Sequence, residues 1–61
     1  MSQLNQIELQ NLRHLIGAHE TACLKMQSYA ENSMDPQVKA YFQKSAQDAQ
    51  NTKQKLLSFL Q

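Results

Sequence analysis

Apolar residues recur along the first half of the chain at steps of three and four: Leu12, Leu15, Ile16, Ala22, Cys23, Met26, Tyr29 and Ala30. On a helical wheel at 100° per residue, all of them fall within about 80° of His19. That is one apolar stripe along one helix. A second stripe runs through Val38, Tyr41, Phe42, Ser45, Ala46, Ala49, Thr52, Leu56, Leu57, Phe59 and Leu60. Its middle is small and its ends are large. No stretch alternates apolar and polar residues for long enough to make a strand. The pattern predicts an all-α fold.

The stripes are separated by "NSMDPQ", residues 32–37, the one cluster of helix breakers. Pro36 disfavours a helical Asp35. Asp35 is then a natural N-cap, with Pro36 at the first helical position. At the other end, Asn5 and Glu8 have the spacing of a capping box, and Leu4 and Leu9 that of a hydrophobic staple. The reading is a single domain over residues 1–61: helix 1 at about 5–31, a turn at 32–35, and helix 2 at about 36–60.

A turn this short makes the two helices antiparallel. Residues whose numbers sum to roughly 68 should then face each other, from the turn position and the helix rise. His19 is expected opposite Ala49, Met26 opposite Phe42, and Leu12 opposite Leu56. Each stripe is wider than one partner helix can cover. A second hairpin would complete a four-helix bundle of the ferritin-like class, so a homodimer is expected. The predicted interface comprises Leu12, Leu15, Ile16, Met26, Tyr29, Phe42, Ala49, Leu56 and Phe59.

Size reinforces that expectation. A domain of 61 residues is marginal alone and usually gains a disulfide, a metal or a partner subunit. The single cysteine, Cys23, excludes an internal disulfide. Six Lys or Arg against five acids give a net charge of +1, so neither nucleic acid nor a membrane is an expected partner. The opening residues "MSQLNQIELQ" lack the basic and apolar regions of a signal peptide, which predicts synthesis in the cytoplasm without one. Fourteen residues are Gln or Asn, and they give helix 2 an amide-rich outer face over Gln43 to Lys55.

The stretch "HLIGAHETACLKM", from His14 to Met26, holds the residues with most chemistry. His19 and Cys23 are four apart on the inward face, a spacing that lets two side chains share a metal. Across from them only Asp48 is a good further ligand. The simpler reading is a core histidine beside a small buried thiol. A di-iron bundle would need Glu residues on facing helices and Glu-x-x-His pairs. Helix 2 has no Glu, and neither His14 nor His19 follows a Glu by three residues. A Cys–His nucleophile lacks a third orienting residue. No catalytic residue and no cofactor are assigned, and the chain is not expected to be an enzyme.

Three smaller features remain. Lys53 sits within the helix 2 stripe and could bridge to Glu8 of a second hairpin. Glu20 flanks the helix 1 stripe, where it could meet a Lys. Gly17 and Leu24, seven residues apart, mark the back of helix 1, either as neutral surface or as a patch for close approach.

The segments "LNQIELQNLRHLIGAHETACLKMQSYA" and "DPQVKAYFQKSAQDA", with a closing "LLSFL", resemble the short spore coat proteins of endospore-forming Firmicutes, the coat F (CotF)-like family. The sharpest elements are "NLRHLIGAHE" at 11–20 and "DPQVK" at 35–39. The resemblance implies a helical hairpin of the four-helix or ferritin-like class, located in or near the spore coat. It implies no active site.

The function expected is therefore that of a structural or interaction protein of the spore coat. It would pair with itself or with another coat F-like hairpin protein. One alternative is a metal-binding or redox bundle module using His19 and Cys23. Another is a regulatory adaptor that receives a partner's helix in its groove.

Overall fold

Asn5 begins the first helix through a reciprocal pair of hydrogen bonds. The Glu8 backbone N–H donates to Asn5 Oδ1 at 2.7 Å, and the Asn5 N–H donates to Glu8 Oε1 at 3.1 Å. These bonds occupy two donors that the helix itself leaves unpaired. The computed structural model describes residues 4–60. Residues 1–3, where the predicted domain opens, and Gln61, where it closes, lie outside the described residues.

Helix α1 spans Gln6–Asn32 and helix α2 spans Pro36–Ser58. Polar side chains close the end of α1. Ser33 Oγ donates to the Tyr29 carbonyl at 2.6 Å, and Asn32 Nδ2 donates to the Ser28 carbonyl at 2.9 Å. Asp35 then restarts the chain, its Oδ1 accepting from the N–H groups of Gln37 and Val38 at 2.8 and 3.1 Å. At the far end, the N–H groups of Phe59 and Leu60 donate to the carbonyls of Leu56 and Leu57. That tighter final turn ends α2 at Ser58, two residues before the expected boundary.

The helices pack against each other along their length as a hairpin, with no strand among the described residues. The hairpin measures 45 × 16 × 11 Å. Two helices side by side make a single layer.

The inward line runs through Leu12, Cys23 and Ala30 of α1 and Ala46 of α2, each no more than 8% exposed. It lies about 30° around the wheel from His19, where the stripe was centred. Three of those four residues are small, so the helices approach where Cys23, Ala30 and Ala46 leave room. The register shifts as well. Three cross-helix contacts, Tyr29–Phe42, Cys23–Gln50 and Glu20–Lys53, join residues whose numbers sum to 71, 73 and 73 rather than 68, while Leu12 and Leu56, expected opposite each other, do line one cleft. The shift is close to one helical turn.

Candidate assembly interface

The rotation of α1 divides the hairpin into two unlike broad faces. Leu15, Ala22, Met26 and Tyr29 lie to one side of the Leu12–Cys23–Ala30 line, and Gln27 and Glu31 to the other. On α2, Val38, Phe42, Ala49 and Leu56 lie to one side of Ala46, and Gln43 and Gln47 to the other. In an antiparallel pair the two apolar sides fall on the same face. Their contacts mark both ends of it. At the turn end, the Tyr29 and Phe42 rings sit 5.3 Å apart, tilted by 57°. At the open end, Leu4, Leu12, Leu15, Leu56 and Phe59 line a shallow apolar cleft.

The apolar face is only partly covered. Leu15, Tyr29, Val38 and Phe59 are each 44 to 48% exposed. Met26, Phe42, Ala49 and Leu56 are half-buried. Among the expected interface residues, Leu12 is consumed inside the hairpin, and Ile16 lies on the other side of the Leu12 line from Leu15. The remaining seven share the apolar face or its edge.

The opposite face is a groove with amide walls. Gln27, Gln43, Gln47 and Gln50 line it with Glu31 and Lys39, over a floor of Cys23, Ala30 and Ala46. Gln50 reaches inward far enough for its Oε1 to accept from the Cys23 thiol at 3.7 Å. The helical periodicity alone assigns this surface to solvent, whereas Gln50 turns inward from it. The signal was present in the 3-4 spacing of Gln43, Gln47 and Gln50, which keeps them on one line.

The two metal candidates have other occupations. His19 Nδ1 lies 2.8 Å from the Leu15 carbonyl of its own helix, so the Nδ1–H donates there and Nε2 is the acceptor in the neutral ring. Cys23 is buried, and its hydrogen bond goes to an amide. Asp48, the further ligand considered, faces away and pairs with Lys44 at 3.4 Å on the exposed side of α2. Among the described residues, no three of His, Cys, Asp and Glu come together.

Glu8 and Lys53, the pair expected to bridge two hairpins, each have a partner within their own chain. Glu8 spends its carboxylate on the Asn5 cap. Lys53 instead approaches Glu20 of its own chain at 3.8 Å, with the Lys53 side chain 21% exposed. The shifted register brings these two to the same level. On the back of α1, His14 is exposed beside Arg13, Gly17, Ala18 and Thr21 in an open depression. A Cβ on Gly17 would meet nothing within 4 Å. Among the described residues, no helix is long and apolar enough to cross a membrane.

Comparison with known proteins returns no matching family model, curated protein or solved structure. The arrangement itself offers one broad chemical capability. It presents a long, half-exposed apolar face on a single layer of helices.

Proposed function

We propose that this hairpin is a structural assembly module whose apolar face is covered by a second helical hairpin, giving a four-helix bundle. The observation that carries the reading is the missing second layer. Stable domains bury their apolar faces between at least two packed layers. This chain is one layer, and none of its large side chains among the described residues is fully buried. Its accessible surface is 4915 Å². A compact monomer of 7.0 kDa exposes about 4,000 Å² by the usual scaling with mass. The unmatched apolar face accounts for where a partner would act.

The placement in the spore coat is supported by the resemblance of residues 4–60 to the coat F-like proteins. In that setting the hairpin would serve as a packing unit, joined to a copy of itself or to a related hairpin. An assembly role rather than catalysis fits the side chains present. His19 and Cys23 are hydrogen-bonded to a backbone carbonyl and to Gln50, not to each other.

Sedimentation equilibrium of the untagged protein tests the pairing. The expected result is twice the chain mass at micromolar concentration, shifting to the chain mass when Leu15→Asp places a charge on the apolar face. A fully helical monomer would contradict self-pairing. It would point to a different hairpin as the partner, or to the single helix that an adaptor would receive. Detection of the chain in coat extracts of purified spores, and its absence from the spore core, tests the placement.

A further inference from the structure

We infer that the second hairpin is another copy of this chain, laid on the apolar face with its turn at the opposite end. The inference rests on the pairing proposed above and deepens it. It comes from a symmetry within the face itself. Leu15, Ala22 and Tyr29 follow one another at seven-residue steps on α1, and Phe42, Ala49 and Leu56 do so on α2. A step of seven returns to within about 20° of the same direction, so each trio forms a line along its helix. Both lines read large, small, large.

The register aligns them. Tyr29 touches Phe42 at one end, and Leu15 and Leu56 share the cleft at the other. Ala22 and Ala49 therefore fall at one level, midway between. The face has a narrow waist at the two alanines and a bulky pair on either side. Its outline is the same read from either end.

A two-fold axis lying in the face and crossing both helices at that waist maps the outline onto itself. Ala22 then meets the copy's Ala22, and Ala49 the copy's Ala49, so the layers approach closely at the centre. Leu15 meets the copy's Tyr29, and Leu56 meets the copy's Phe42. Aliphatic side chains thus fill against aromatic ones at both ends, and every contact is made twice, as a two-fold interface requires.

The other two-fold, along the helices with both turns together, matches the waist equally well but not the edges. It sets α1 beside the copy's α2. Tyr41, 67% exposed on the outer edge of α2, would then lie by Ser28 and Asn32 of the copy. With the turns opposed, α2 lies beside the copy's α2. Tyr41 then meets the last turn of that helix, where Phe59 occupies the same edge. Apolar meets apolar only in the second case.

The area agrees with a copy as the occupant. The accessible surface of 4915 Å² exceeds the compact-monomer value by roughly 900 Å². A standard stable interface takes about 800 Å² from each partner.

A spin-label distance tests the arrangement. Met34 is 98% exposed at the turn and outside the apolar face, so it accepts a label without touching the interface. The variant is Met34→Cys in a Cys23→Ser background, with Cys23→Ala as a second background should the serine weaken the fold. Circular dichroism verifies helicity in each. Met34 lies twelve residues beyond the Ala22 level, and at 1.5 Å per residue the two labels should be roughly 35–45 Å apart. A distance below about 25 Å would overturn the opposed arrangement while leaving the pairing of hairpins intact. No dipolar coupling, together with a monomer mass by sedimentation, would overturn the copy as occupant.

Discussion

Tyr29 of α1 rests against Phe42 of α2, with ring centroids 5.3 Å apart, just before the chain turns between them. Tyr41 adds a second edge-on contact to Phe42, at 5.7 Å. Phe42 is the hub of this cluster and the largest half-buried side chain near the turn. Phe42→Ala should therefore destabilise the fold by about 3 kcal/mol. A double-mutant cycle with Tyr29→Ala should show a coupling of about 1 kcal/mol. Chemical denaturation of the four proteins gives both figures. Strictly additive losses would mean that the ring contact contributes nothing of its own.

Gly17 offers a change in the other direction. It lies inside α1, exposed, with open space where a Cβ would go. Replacing it with alanine lowers the entropy of the unfolded chain and improves helix propensity without a clash. Gly17→Ala should raise stability by about 1 kcal/mol and leave the subunit count unchanged. If the subunit count fell while the helicity held, the back of α1 would instead be a close-approach surface.

Glu20 and Lys53 provide a check on register. Their 3.8 Å separation exists only because Lys53 sits level with Glu20. Glu20 is more than half exposed, so the pair contributes little, at most about 1 kcal/mol. Lys53→Glu should nonetheless destabilise the hairpin, and adding Glu20→Lys should recover most of the loss. High salt should shrink both effects. Recovery by Glu8→Lys instead of Glu20→Lys would restore the interchain bridge that the sequence suggested.

These three tests also separate what the sequence revealed from what it concealed. The helix starts at Asn5 and Asp35 were legible because a cap is local: a side chain and a backbone N–H two or three residues on. The two stripes were legible because periodicity is local too. The rotation of α1 was not. It depends on how closely two helices approach, and that is decided jointly by Cys23, Ala30 and Ala46, on different elements. The wheel weighted the bulky residues around His19, whereas packing followed the small ones. The same shift set Lys53 level with Glu20 and brought Gln50 to the Cys23 thiol. The paired residue types in "HLIGAHETACLKM" drew attention to a metal. Their hydrogen bonds, to the Leu15 carbonyl and to Gln50, were invisible until the register was known.

On the proposed function, a second hairpin stabilises this single layer of helices. Anything that binds the folded state raises its melting temperature with concentration. The direct measurement is thermal unfolding followed by circular dichroism, across a hundredfold range of protein concentration. The expected result is a melting temperature that climbs steadily with concentration, and a Leu15→Asp variant that melts lower and without that dependence. A wild-type melting temperature independent of concentration, with full helicity at the dilute end, would contradict it.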